Sequence, residues 1–147
     1  MLDRTWKGHE FPPFTVTVEA GRLRFFAKAI GETDPVYLDE QAAKAAGYRG
    51  LPVPPTFLFS LEHEAPNPFG WFAAVGLDLK KVLHGEQSFT YHQVPVAGDV
   101  LTFRARLTDL YDKKNGALEF VVKETRVTDA AGAPVAELVS TIVQRNA

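Results

Sequence analysis

The sequence holds 147 residues, 46% of them hydrophobic, with a formal net charge of -2. That length suits one compact domain, expected over 1–147, able to bury roughly 70% of its unfolded surface. The near-zero charge argues against a nucleic-acid partner, and the lack of cysteine excludes disulfides, thiol catalysis and cysteine-based zinc sites.

The lead Met1-Leu2-Asp3-Arg4-Thr5-Trp6-Lys7-Gly8 carries charges where a signal peptide needs an apolar run. No stretch has the length and apolarity of a membrane span, so a soluble cytoplasmic protein is expected. Phe11-Pro12-Pro13-Phe14 closes the lead, and Phe14–Val18 reads as a short strand. From Glu19 to Ile30 the period is helical, with Leu23, Phe26, Ala27 and Ile30 on one face and Gly31 as its stop. Asp39 can cap a second short helix through Ala46, ended by Gly47. Pro52, Pro54 and Pro55 force an extended approach to a third helix, Thr56–Glu64. Apolar residues around its first turns imply burial, and Thr56 is a candidate cap. Pro66–Gly70 breaks the chain, and Trp71–Val82 reads equally as short helix or loop.

After that the period becomes two. Ser88–His92 and Leu101–Leu107 are strands, the second alternating strictly. Lys113-Lys114-Asn115-Gly116 is a hairpin turn into Leu118–Thr128. Asp129-Ala130-Ala131-Gly132 turns into Pro134–Val143. Helices first and strands last predict an α+β domain with an antiparallel sheet, and since the third helix is too apolar for a surface, a sheet curled around that one buried helix satisfies both facts.

Two segments carry a family likeness. Ile30-Gly31-Glu32-Thr33-Asp34-Pro35-Val36-Tyr37-Leu38-Asp39, followed by Gly50-Leu51-Pro52-Val53-Pro54-Pro55-Thr56-Phe57, resembles the signature of the MaoC-like (R)-specific enoyl-thioester hydratases and dehydratases. Leu83-His84-Gly85-Glu86-Gln87-Ser88-Phe89-Thr90-Tyr91-His92, with Val96-Ala97-Gly98-Asp99-Val100-Leu101, is similar to their N-terminal, FAS1-like branch. The resemblance covers most of the chain and implies the hotdog fold. It also implies water addition to, or loss from, an acyl thioester, with no metal and no bound cofactor.

In that family an aspartate and a histidine move the protons of one water. Here Glu32 stands at the aspartate position, Asp34 replaces an asparagine, and Tyr37 replaces the histidine. A phenol's ordinary pKa is about 10, which makes Tyr37 a poor base near neutral pH. Glu32 also fits a solvated helix end, Asp34 a turn stabiliser, and Tyr37 a packing residue. His84 is the candidate replacement imidazole. The resemblance further implies thioester contacts at the start of the buried helix, Pro55, Thr56 and Phe57, and at Gly85.

Other polar residues carry weaker signals. Glu62 and Glu64 occupy a region that hotdog thioesterases use, but late helical charges are expected to face water. His63-Glu64 lacks the second histidine of a zinc-protease motif, since Asn67 stands there. His92 is expected to be exposed or paired across strands, and His9 carries no signal. Lys80-Lys81 and Lys113-Lys114 read as solvated turn charges. Phe25, Phe26, Phe57, Phe59, Trp71 and Phe72 suit an acyl tunnel or an ordinary core.

Three readings stay open. The chain is a substrate-binding subunit of a heterodimeric hydratase or dehydratase whose partner supplies the Asp/His pair. Alternatively it is an autonomous hydratase or thioesterase using Glu32, Asp34 or His84. The third is a homodimer that binds acyl groups without transforming them. Each takes an acyl-CoA or acyl-carrier-protein thioester, with no nucleic acid or membrane partner.

Overall fold

The computed structural model describes residues 1–146. Five antiparallel strands form one sheet in the order β1-β3-β4-β5-β2. They are β1 (Phe14–Thr17), β2 (Val82–Tyr91), β3 (Val100–Lys113), β4 (Leu118–Thr128) and β5 (Pro134–Arg145). Four helices cover one face: α1 (Ala20–Ala29), α2 (Glu40–Ala45), α3 (Phe57–Glu62) and α4 (Phe72–Val75). This is the α+β hotdog architecture expected from the sequence, with α3 as the enclosed helix.

α3 is short because its burial, not its propensity, holds it together. Phe57, Leu58 and Leu61 are all at or below 4% exposure. They pack with Leu23 of α1, Ala43 of α2, and Leu101, Phe103, Val127 and Leu138 of the sheet. Thr56 does not cap α3 through its side chain. The turn is closed instead by the Phe57 N–H, which donates to the Pro54 carbonyl at 2.9 Å. On α1 the expected apolar face is cut short. Leu23 and Ala27 are buried, but Ile30 lies beyond the helix and is 54% exposed.

Two strands run longer than their alternation suggests, for one reason. β3 shifts register between Leu107 and Asp109. The extra residue inverts the side-chain parity, so Leu107 and Leu110, three apart, are both buried. β2 begins at Val82, and its register with β5 shifts between His84 and Glu86. Gly85 occupies that bulge. A Cβ there would stand 2.6 Å from Val143 Cγ2 and 3.1 Å from the Thr141 carbonyl.

Loops are pinned by polar contacts. Gly98 has φ +94°, and Asp99 behind it accepts from the Val96 N–H at 3.0 Å and both Arg49 Nη atoms at 3.1 and 3.0 Å. This joins the approach to α3 to the start of β3. The Lys114-Asn115-Gly116 turn has positive φ throughout, as the Asn-Gly signal requires. The region left open at Trp71–Val82 contains α4 and a 3-10 turn at Leu79–Lys81.

A second core joins the N-terminal lead to the sheet through Leu2, Phe72, Val75, Leu107, Leu110 and Val121. Its polar latch is buried Glu119. That carboxylate accepts from the Leu2 N–H at 2.8 Å, Gln144 Nε2 at 3.1 Å and Asn146 Nδ2 at 2.7 Å. Burial alone would raise its pKa. The hydrogen bonds from Asn146, Leu2 and Gln144, with the terminal ammonium, outweigh burial and hold it below the ordinary glutamate range.

A depressed folded-state pKa means that this stabilisation is present above the unfolded value of about 4.3 and is lost as pH falls through the folded value. Glu119→Gln is expected to cost about 2 kcal/mol at neutral pH and to flatten the acid limb of stability. Urea denaturation across an acid pH series measures both effects.

Candidate functional site

The predicted catalytic loop follows directly from α1. Gly31, at φ +73°, turns the chain out of the helix. The Glu32 N–H donates back to the Ala27 carbonyl at 2.9 Å. Glu32 Oε1 then accepts from the Thr33 and Asp34 N–H groups at 2.9 and 3.0 Å. Asp34 Oδ1 accepts from the Val36 N–H at 3.0 Å, capping a 3-10 turn over Pro35–Tyr37. Both carboxylates are therefore occupied with their own loop, and Asp34 behaves as the turn stabiliser weighed above.

Tyr37 is half-buried beside this loop. Its pKa is raised by burial first, then by repulsion from Tyr48, Glu32 and Asp34. Tyr91, at the end of β2, is pushed up to about 12 by burial and by neighbouring Tyr37. Its hydroxyl donates to the Pro55 carbonyl, tying β2 to the entrance of α3. Sequence reasoning gave Tyr91 no role. The available signal was its alternation with Phe89, which places both rings on one side of the strand, stacked at 6.1 Å.

The expected thioester-contact residues divide. Pro55 and Thr56 are exposed near the phenols, whereas Phe57 is buried against Phe26 at 4.7 Å. Gly85 is not with them but in the β2 bulge. His84 is also elsewhere. Six residues of β2 separate it from Tyr91, a span of roughly 20 Å in an extended strand. Its ring stacks on Phe59 at 4.8 Å, and its Nε2–H donates to Gln87 Oε1 at 3.1 Å. The structure therefore gathers Glu32, Asp34 and Tyr37 near Pro55, and leaves His84 at the other end of the strand.

His84 stands instead at the rim of a cavity of about 560 Å³. Phe59, Phe69, Phe72, Leu83 and Ile142 supply its apolar wall, with Phe11 and Pro13 of the lead closing one side. The rings form a continuous series. His63 lies edge-on to Phe59 at 4.5 Å and tilted to Phe69 at 5.4 Å, and Phe69 meets Phe72 at 5.4 Å. The His63 Nδ1–H donates to the Phe59 carbonyl at 2.7 Å, which fixes that ring.

One expectation is overturned here. Glu62 does not face water at the helix end but is buried at 4% exposure. It accepts from the Thr125 hydroxyl and pairs with Lys123 Nζ at 2.8 Å. The helix ends against the sheet instead of projecting from it, so its last carboxylate finds partners on β4. Glu64, two residues further and beyond the end of α3, is partly exposed and pairs with Arg22.

His92 pairs with Glu137 at 3.4 Å, His9 packs between Trp6 and Phe11, and Lys80, Lys81, Lys113 and Lys114 are exposed. Among the described residues no group of three or more His, Asp or Glu is placed to hold a metal ion. No helix among them is long and apolar enough to cross a membrane.

Comparison with known proteins agrees with this architecture. The family model described as "FAS1-like, dehydratase domain region" matches residues 5–138. A UPF0336 protein of Saccharopolyspora erythraea is 37% identical over 146 residues, covering 98% of this chain and 92% of the relative. Among solved structures, the C-terminally truncated HadBC (3R-hydroxyacyl-ACP dehydratase) complex of Mycobacterium tuberculosis superposes with a TM-score of 0.81. It is 27% identical, over 94% of this chain and 96% of that one. The ChsH1-ChsH2 complex of the same organism shares the fold, with a TM-score of 0.74 and 24% identity over 93% of this chain and 89% of that one.

The phenol cluster generates a test in base. A raised folded-state pKa gives stability that is full below the unfolded value of about 10 and is lost as pH rises through the folded value of about 12. Tyr91→Phe is expected to lower stability by about 1 kcal/mol at neutral pH and to soften the alkaline loss. Denaturant melts between neutral and strongly alkaline pH measure it.

Proposed function

The chain belongs to the FAS1-like dehydratase domain family, and from that premise we propose that it is the substrate-binding subunit of an (R)-specific enoyl- or 3-hydroxyacyl-thioester hydratase or dehydratase. A partner subunit of the same fold supplies the Asp/His pair. The observation that carries this reading is the state of the Glu32–Tyr37 loop. Its two carboxylates accept from the loop's own backbone amides, its phenol is shifted away from neutrality, and the candidate imidazole lies at the far end of β2. A loop so arranged has its carboxylates engaged by its own amides and a phenol, a poor base near neutral pH, where the family carries its histidine.

Two further features support it. β2, ten residues long, is an edge of the sheet, and the N–H and C=O groups of its alternate residues point outward without a partner strand, with Leu83 53% and Tyr91 36% exposed. Such an edge is suited to pairing with a second subunit. Beside it opens the apolar cavity, whose volume lies in the usual range of about 300–1,000 Å³ for small-molecule sites. In this reading the acyl chain enters there from the partner's side, while its thioester, on coenzyme A or a carrier protein, stays near the partner's catalytic pair. The autonomous reading has less support, because it would require Glu32 to leave its two amides or His84 to act without a carboxylate beside it.

The pure chain is expected not to hydrate crotonyl-CoA, and co-expression with a family member that retains the Asp/His pair is expected to yield an active complex. In that complex Glu32→Gln, which keeps an acceptor for both amides, should leave turnover within about twofold of the parent. A general base removed from the reaction would instead cost on the order of a hundredfold or more. Steady-state hydration assays on the pure chain, the complex and the variant decide between the two. Brisk turnover by the pure chain would overturn the proposal.

A further inference from the structure

The cavity is not uniformly apolar. A stripe of polar side chains crosses its floor from β4 to β2. Lys123 and Ser140 are cross-strand partners. The Ser140 hydroxyl donates to Gln87, and Gln87 accepts in turn from His84. Glu62 approaches the same stripe from α3.

We propose that this cavity selects an acyl chain that carries a neutral oxygen, a ketone or hydroxyl, away from its thioester, and that Lys123 donates to that oxygen. The proposal rests on the reading of the cavity as the acyl site. An ammonium has three N–H donors. One points to Glu62 Oε1 at 2.8 Å, and among the described residues no other side chain accepts from Lys123. The lysine side chain retains 18% exposure against 3% for Glu62, and both residues line the cavity. The carboxylate, which also accepts from the Thr125 hydroxyl, therefore anchors the lysine, and the remaining donors of this cavity-lining ammonium are available to a ligand.

An unsubstituted hydrocarbon in that space would strip water from the ammonium and return nothing, which is costly for a charged donor. A ketone or hydroxyl oxygen replaces the lost water. The ion pair also explains why the oxygen should be neutral. Lys123 and Glu62 together carry no net charge, so a ligand carboxylate would meet Glu62 as a second anion in a poorly solvated site. The rest of the wall, Phe59, Phe69, Phe72 and Ile142, accepts the hydrocarbon on either side of the oxygen.

The test uses the intact chain and N-acetylcysteamine thioesters of one straight, medium-length acyl chain. The probes are the unsubstituted chain, a set with a single ketone moved along its distal half, and one with a distal carboxylate. Calorimetry is expected to show at least one ketone probe binding about tenfold or more tightly than the unsubstituted chain, and the carboxylate more weakly than that ketone. Lys123→Met alone would strand Glu62 as a buried anion and risk the fold. The double variant Glu62→Gln with Lys123→Met removes both charges. It should melt cooperatively, bind the unsubstituted probe at least as well as the parent, and lose the preference for the ketone. Equal affinities for all ketone and unsubstituted probes in the parent, or a preference that survives in the double variant, would overturn the proposal while leaving the acyl-site reading intact. Failure of every probe to bind would overturn both.

Discussion

The fold depends on enclosing α3. A six-residue helix has no stability of its own, and this one is apolar on nearly every side. It persists because the sheet and α1 cover it, and because its one buried charge is met by β4. Glu62 matters more than its size suggests. A carboxylate at 4% exposure is tolerable only with Lys123 and the Thr125 hydroxyl beside it. Those contacts fix where α3 stops and how it lies against β4, and so they set the shape of the cavity below it. The same three residues thus connect folding to whatever the cavity receives.

The two ends of α3 have different characters. At its entrance lies the Glu32–Tyr37 loop, with carboxylates folded back on their own amides and three phenols close together. Phenols crowded in this way are good at packing and at donating hydrogen bonds, as Tyr91 does to Pro55, and poor at exchanging protons near neutrality. At its exit lies an aromatic-walled space with a polar floor. One end thus holds engaged carboxylates and phenols and the other an enclosed space, a division that fits the proposed sharing of work with a second subunit.

Much of this was legible in the sequence. The order of helices and strands, the caps at Asp39 and Gly31, the Asn-Gly turn and the family motif all rest on local signals that tertiary contacts did not override. The losses have specific causes. A bulge is one residue long and inverts the side-chain face beyond it, so the alternation that revealed Leu101–Leu107 stopped at Leu107 although the strand runs to Lys113. The first half of β2 was hidden by the same device at Gly85, which also brings His84 and Gln87, three apart, into contact. Glu62 was misjudged because a charge at the end of a helix ordinarily has water ahead of it. The partners that replaced water here stand more than sixty residues later in the chain. Tyr91 drew no attention because its partner is a backbone carbonyl, to which no motif points.

The bulge at Gly85 has an effect beyond parity. It lies in the strand that borders open solvent, and it is closed on its inner side by Val143 and Thr141 so that no side chain can be added there. A ribbon laid along this border meets regular spacing up to the dislocation and altered spacing after it. Repetitive stacking of identical chains, which thrives on straight uninterrupted edges, is thereby discouraged. A neighbour that pairs with the full length must bring a matching irregularity of its own, so the border works as a key, admitting few companions and refusing endless copies.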